Sequence, residues 1–492
     1  MLAGLLALSG CALRQTSIPP GPPEPAVLAI RSDLARVFGA PVMRRGVWAV
    51  DVVSMASGEH LYSLNADRWM MPASNMKILT LAAAAETLGW DYRFRTTLEA
   101  RGSIRNGVLH GDLIVRGNGD PTISSRDDRA EGVFQEWIAA LGAAGVSAIQ
   151  GRIVGDDQSF DEEGLGAGWA WDYLQYRYAA PVGALEINEN SASLDVLPGS
   201  WPGAAAVLRL APGSGLTLLN RAITGPPGSR DAIEYRRRLD RPELEVIGSV
   251  PADAGLTRYF VPVVNPTLYF VRSLKDALEA AGVTVSGEAV DFDDISAGLA
   301  ALPPAPPLVL ASTESPPLRD VATVLMKVSQ NLYAETLLKA LGASRGGLGT
   351  AEGGRLAVRR ILSGWGVPED AYTMYDGSGL SRYNYVTAAL LTTILERLYR
   401  DPRHREPFLA TLPIAGKDGS LASRLERTRA DGNALAKTGS ISNVRALSGF
   451  VRTRDDEVLA FSILANDFAI PAATVEYIAD IAVETLANFT RR

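Results

Sequence analysis

Ser74 and Lys77 stand three residues apart in Met71-Pro-Ala-Ser-Asn-Met-Lys-Ile-Leu-Thr80, at the mouth of an apolar run that continues Leu81-Ala-Ala-Ala-Ala-Glu-Thr-Leu88. Pro72 marks a helix start, which puts Ser74 in the first turn. Residues i and i+3 share a helix face, so the hydroxyl and the amine point the same way. A lysine in apolar surroundings is costly unless something uses it. A serine nucleophile needs a base. The three histidines, His60, His110 and His404, lie far apart in sequence, so Lys77 is the nearest candidate. It can accept a proton only when neutral, and burial and nearby positive charge both lower a lysine's pKa.

That requirement calls for a second cation and a relaying hydroxyl. Lys327-Val-Ser-Gln-Asn-Leu-Tyr-Ala-Glu335 offers Ser329 and Asn331, inside a helical stretch predicted over 318–341. Leu435-Ala-Lys-Thr-Gly-Ser-Ile-Ser442 offers Lys437, Thr438, Gly439 and Ser440 at the end of a short strand. Glycine there lets a substrate backbone approach the strand edge. Each signal alone is weak: a surface helix, a helix face, a turn. Ser-x-x-Lys, Ser-x-Asn and Lys-Thr-Gly in this order are the motif set of penicillin-binding proteins and class A β-lactamases.

The chain resembles the low-molecular-mass class C penicillin-binding proteins, the D-alanyl-D-alanine carboxypeptidases and endopeptidases. The resemblance extends over nearly the whole mature chain. It includes Gly117-Asn-Gly-Asp-Pro121, Gly168-Trp169 with Asp172, Asn188-Glu-Asn190, Ser315-Pro-Pro-Leu318, Asn331-Leu-Tyr-Ala-Glu335, Asp376-Gly-Ser-Gly-Leu-Ser-Arg382 and Gly416-Lys-Asp-Gly419. It implies an α/β (α+β) transpeptidase or β-lactamase-like domain, an antiparallel sheet flanked by helices, interrupted by inserted β-rich domains. By the same resemblance Ser74 is the nucleophile and Lys77 its base. Ser329 relays the proton to the leaving amine, and Asn331 holds Lys77 and the substrate amide. Lys437, assisted by Thr438, binds the terminal carboxylate. The N–H groups of Ser74 and Ser440 form the oxyanion hole. Gln330 departs from the aspartate of that motif, at a position expected to face away from the chemistry. The implied partners are peptidoglycan stem peptides and β-lactams. For a diaminopimelate side chain, Arg382 is expected to hold the carboxylate, Asp156 the ammonium and Phe160 the stem. A β-lactamase would share the acyl-enzyme, but the class A glutamate motif is missing and the long insert points away from it. A non-catalytic wall-binding lipoprotein is the other alternative, against which the complete motif set argues.

The elements that must position these residues divide the chain. Val47–Val53 and His60–Leu64 read as a hairpin, as do Ala446–Arg452 and Val458–Leu464, with a last helix near 472–488. Alternating apolar residues support both. Two terminal hairpins suggest one sheet shared by both ends, a catalytic domain of residues 31–95 and 308–492. Residues 96–307 are rich in Gly, Asp and short β-like runs, read as two nested β-rich domains closed by Leu302-Pro-Pro-Ala-Pro-Pro-Leu308.

Length (492 residues) and 47% hydrophobic content are those of a multidomain globular protein. A net charge of −7 without long like-charge runs argues against nucleic acid. Neither HExxH nor GxxxxGK occurs, and no metal or cofactor is expected. The single cysteine, Cys11, ends a short apolar run whose Leu8-Ser-Gly-Cys11 is similar to a bacterial lipobox, though no basic residue precedes the run. Residues 1–11 are therefore expected to be a lipoprotein signal peptide and 12–30 a proline-rich tether. The protein is placed in the periplasm or cell envelope, lipid-anchored, at the outer membrane where one exists.

Overall fold

The computed structural model describes residues 24–238, 241–295 and 307–492. Cys11 and the lipobox lie outside them. Pro25–Phe38 (α1) opens the described chain, with Pro25 at its N-terminus and Val27, Ile30, Leu34 and Phe38 buried at helical spacing. The expected tether thus gives way to helix before residue 30. Val47–Ser54 (β1) and His60–Leu64 (β2) form the first hairpin, and Met76–Thr87 (α2) follows a 3₁₀ turn at Ala73–Asn75.

The inserted segment comes next. Its elements are Arg95–Arg105 (β3), Val108–Gly117 (β4), Arg129–Ala143 (α3), Ala148–Ile149 (β5), Ile153–Asp156 (β6), Ser191–Leu197 (β7), Val207–Leu210 (β8), Thr217–Gly225 (β9), Glu234–Arg237 (β10), Glu243–Pro251 (β11), Thr257–Pro262 (β12), Pro266–Ala280 (α4), Thr284–Val285 (β13), Ala289–Asp291 (β14) and Leu308–Glu314 (β15). They build a seven-stranded sheet around β3 and β4 and two three-stranded sheets, β12-β7-β8 and β10-β11-β9. Leu98, Val115, Ile187, Val196, Val246 and Leu274 belong to one continuous apolar core beneath them. β15 pairs antiparallel with β3, so Leu308–Glu314, which the proline-rich seam had set outside the insert, completes its sheet.

The chain then returns through Leu318–Lys327 (α5), Asn331–Ala343 (α6), Ala351–Gly364 (α7), Tyr372–Thr373 (β16), Tyr385–Val386 (β17), Ala388–Arg400 (α8) and Arg405–Thr411 (α9). It ends with Leu435–Ile441 (β18), Val444–Arg452 (β19), Val458–Asn466 (β20) and Ala472–Asn488 (α10). The strand order β18-β19-β20-β1-β2 joins the two ends of the chain in one sheet, antiparallel throughout. α1 and α10 pack one face with Val50, Phe461 and Ile463. α2, α5, α6 and α8 pack the other with Ala49, Phe450 and Leu464. Every residue of α2 from Met76 to Ala85 is buried, Lys77 and Thr80 among them, as a predominantly apolar helix inside a layered domain must be. The stretch 318–341 is two helices. Ser329 adopts φ 62°, a left-handed backbone that no helix interior accepts, so Ser329 sits in the break.

Candidate active site

Ser74 lies in the 3₁₀ turn that feeds α2. Lys77, one turn on and fully buried, donates from Nζ to Ser74 Oγ at 2.9 Å, to Asn331 Oδ1 at 2.7 Å and to the Ser378 carbonyl at 2.8 Å. These three acceptors use all its donors and fix its direction. Asn331 opens α6, and its amide donates to the Tyr178 carbonyl at 2.7 Å. Lys437, also fully buried on β18, donates to Ser329 Oγ and to its neighbour's carbonyl at Thr438, each at 2.8 Å. Thr438 Oγ1 donates to Ser420 Oγ at 2.6 Å.

β18 is the sheet's edge, and it passes close to the serine. A Cβ at Gly439 would lie 2.8 Å from the Pro72 carbonyl and 3.1 Å from the Ser74 nitrogen. Ala436 N–H turns away from β19 to the Pro413 carbonyl at 3.0 Å. Strand alternation therefore carries the Ser440 N–H to the same open edge. Ser74 and Ser440 line a cleft of about 550 Å³ with Tyr173, Tyr178, Ser329, Asn331 and Thr438.

Burial lowers the pKa of Lys77 to about 7, against the opposing charges of Glu335 and Asp376. Burial, then the charge of Lys77, holds Lys437 well below the ordinary lysine range. Burial thus makes a neutral Lys77 accessible near neutral pH. Glu335, four residues after Asn331 on α6, accepts from the N–H groups of Gly377 (2.9 Å) and Ser378 (2.7 Å). Asp376 accepts from Gly379 N (2.8 Å), Ser381 N (2.6 Å), Asn384 Nδ2 (2.6 Å) and Trp169 Nε1 (2.9 Å). The two carboxylates mould the loop that offers the Ser378 carbonyl to Lys77.

The structure thus gathers Ser74, Lys77, Ser329, Asn331, Lys437, Thr438, Gly439 and Ser440 around one cleft. Gln330 turns to Glu189, donating at 2.6 Å. Arg382 sits at the rim, donating to the Ser442 carbonyl at 3.0 Å, and Ser442 lines the cleft. Asp156 and Phe160 do not join it. Asp156 ends β6 paired with Arg116 at 2.9 Å. Phe160 is buried against Gly119 and Gly349, with the Lys339 ammonium 5.9 Å from its ring centre. The expected pocket of Asp156, Phe160 and Arg382 does not form: the pairing of β6 with β4 sets Asp156 beside Arg116, and Phe160 bridges to Gly349 beyond the insert. The carboxylate nearest in sequence to the rim is exposed Asp172. Its neighbour Tyr173 donates its hydroxyl to Ser442 Oγ at 3.0 Å. The sequence reading named Glu335 within a family-like stretch but gave it no role, for which the i, i+4 spacing from Asn331 was the available signal. For Tyr178 it offered none.

A model of the D-Ala-D-Ala carboxypeptidase 3 (S13) family matches residues 30–488. The chain is 35% identical over 462 residues to a D-alanyl-D-alanine carboxypeptidase of Actinomadura sp. (strain R39), spanning 90% of this chain and 82% of that one. It is 28% identical to the D-alanyl-D-alanine carboxypeptidase DacB of Haemophilus influenzae, over 82% of each chain. The crystal structure of penicillin binding protein 4 (dacB) from Haemophilus influenzae superposes with a TM-score of 0.79 at 25% identity, covering 93% of this chain and 99% of that one. A second structure of that protein, complexed with a novel β-lactam, gives 0.73. Matched over nearly its whole length, the chain belongs to the D-Ala-D-Ala carboxypeptidase 3 (S13) family.

Proposed function

We propose that Ser74 is the nucleophile with which this penicillin-sensitive D-Ala-D-Ala carboxypeptidase opens the bond after a D-alanine in peptidoglycan stem peptides, at the free end and at cross-links. The observation that carries this reading is the Lys77 ammonium fixed between Ser74, Asn331 and the Ser378 carbonyl. Neutral Lys77 takes the Ser74 proton as Oγ attacks the carbonyl carbon. The oxyanion forms between the N–H groups of Ser74 and Ser440, where losing one donor typically costs about 10²–10³ in rate. Ser329, hydrogen-bonded to Lys437, passes a proton to the leaving amine. Lys437 and Thr438 meet the terminal carboxylate of the leaving D-alanine, and Gly439 leaves room for the substrate backbone along β18. Water then hydrolyses the acyl-enzyme by the same route reversed. A β-lactam presents a similar amide to Ser74 and acylates it.

Arg382 donates to the Ser442 carbonyl and Tyr173, next to Asp172 in sequence, to the Ser442 hydroxyl, and a diaminopimelate side chain ends in a carboxylate and an ammonium. We assign the carboxylate to Arg382, which can grip it in a fork, and the ammonium to Asp172. The envelope is where such a substrate lies, and Cys11 would tether the protein there by lipid. No helix among the described residues is long and apolar enough to cross a membrane. Cys11→Ser is expected to move the protein from the membrane to the soluble fraction, and unchanged fractionation refutes the tether.

The test of the catalytic reading is Ser74→Ala. Fluorescent penicillin labelling and D-alanine release are both expected to vanish with folding intact. A labelled Ser74→Ala protein would sink the assignment. In the same assays Asp172→Ala and Arg382→Ala should slow diaminopimelate peptides and spare labelling by a penicillin without that side chain. Equal losses in both assays refute that pocket.

A further inference from the structure

Five tyrosines lead away from the cleft, each in contact with the next. Tyr173 and Tyr178 line it, with ring centres 5.8 Å apart. Tyr176 stacks on Tyr178 at 5.3 Å with an interplanar angle of 21°. Tyr235 of β10 follows at 5.9 Å, and Tyr259 of β12 at 5.8 Å. The row starts at the catalytic wall and ends on the two small sheets of the insert. Tyr176 and Tyr178 are 38% and 39% exposed, and Tyr235 and Tyr259 are half-buried. Tyrosines placed for packing alone would be covered; these leave ring surface and hydroxyl edges toward water.

The rings run in single file. The Tyr259 hydroxyl donates to Asp231 at 3.2 Å. A protein partner would meet a broader apolar patch. A narrow line of aromatic faces edged by hydroxyls and carboxylates suits sugar rings, whose C–H faces stack on aromatics while their hydroxyls bond at the edges.

We infer that this tyrosine row is a saccharide-binding subsite that holds the glycan strand bearing the scissile stem peptide. The inference rests on the peptidoglycan reading above. A stem peptide joins its sugar a few residues before the scissile bond. An extended peptide advances at most about 3.3–3.6 Å per residue, so a sugar a few residues from Ser74 falls at a distance on the order of two ring-to-ring steps along the row. The insert thus selects polymer-linked peptide over free peptide.

The test compares D-alanine release from a pentapeptide carrying its N-acetylglucosamine–N-acetylmuramic acid disaccharide with release from the bare pentapeptide. The wild-type protein is expected to favour the first by about tenfold in kcat/KM, the scale of one to two ring contacts. Tyr176→Ala/Tyr235→Ala should erase the preference and leave the bare peptide unchanged. Tyr176→Phe/Tyr235→Phe, which keeps the faces, should retain it. Titration with tetra-N-acetylchitotetraose reads the same contact without catalysis, and the alanine pair should weaken it severalfold. No preference in the wild-type protein, or equal loss on both substrates in the alanine variant, overturns the subsite while leaving the carboxypeptidase reading intact. Release from neither substrate overturns that reading and this inference with it.

Discussion

Lys77 is useful because it is hard to keep charged. Its amine lies in a fully buried position, and burial is the larger influence on its pKa, which falls to about 7. Glu335 and Asp376 pull the other way. Glu335 is itself pushed up to about 7 by burial and by Asp376, so its charge is finely placed. The acid limb of kcat/KM reports the free enzyme's base, and it is expected near pH 7. Removing a carboxylate removes support for the ammonium, so Glu335→Gln should move that limb to lower pH. It should also slow acylation, because a neutral amide cannot accept from both Gly377 and Ser378 as the carboxylate does. A pH profile of penicillin acylation checks this. A limb that stays put, or rises, means Glu335 only supports the loop.

At the scale of elements, the site depends on backbones that come too close for side chains. Gly379 closes the 376–381 loop at φ 87°, and a Cβ there would lie 1.8 Å from the Ala73 carbonyl. Both the left-handed conformation and the contact exclude any other residue. Gly379→Ala is expected to cost about 2 kcal/mol or more and to slow labelling, because relief of the clash must move the turn holding Ser74. Urea unfolding with parallel penicillin labelling measures both. Unchanged stability would show that the two segments separate freely. Ser329 shows the same principle from the other side: its left-handed backbone ends α5 and turns the hydroxyl toward Lys437.

At the scale of the whole molecule, Glu186 of the insert is fully buried against α6, where it meets Thr336. Its carboxylate accepts from Thr336 Oγ1 at 3.0 Å, and its second oxygen has no partner. Burial raises its pKa from 4.5 to about 8. Below about pH 4.5 folded and unfolded chains both carry the proton, and stability is undiminished. As pH rises from there the unfolded chain releases the proton first, so stability falls until the folded group titrates near 8. Glu186→Gln keeps the acceptor and removes the charge. It should stabilise the protein by about 2 kcal/mol or more at pH 8 and by much less at pH 5. Chemical denaturation at the two pH values checks this. An equal effect at both would mean that charge is not the cause.

The sequence alone determined what depends on neighbours along the chain. The Ser74–Lys77 spacing, the alternation of the terminal hairpins and the Lys-Thr-Gly strand end were legible because helix period, strand period and glycine's small size are local properties. The 318–341 run read as one helix because its apolar spacing continues across Ser329; only tertiary contacts repay a left-handed serine. Asp156 and Asp172 look alike in sequence, two aspartates in the same insert. Pairing of β6 with β4 gave the first to Arg116, and the second stays exposed beside Tyr173, which reaches Ser442. The tyrosine row has rings from three separated segments, so no window of sequence contains it. Which side chains lose water together is decided by strand pairing over hundreds of residues, and that loss sets the pKa of Lys77.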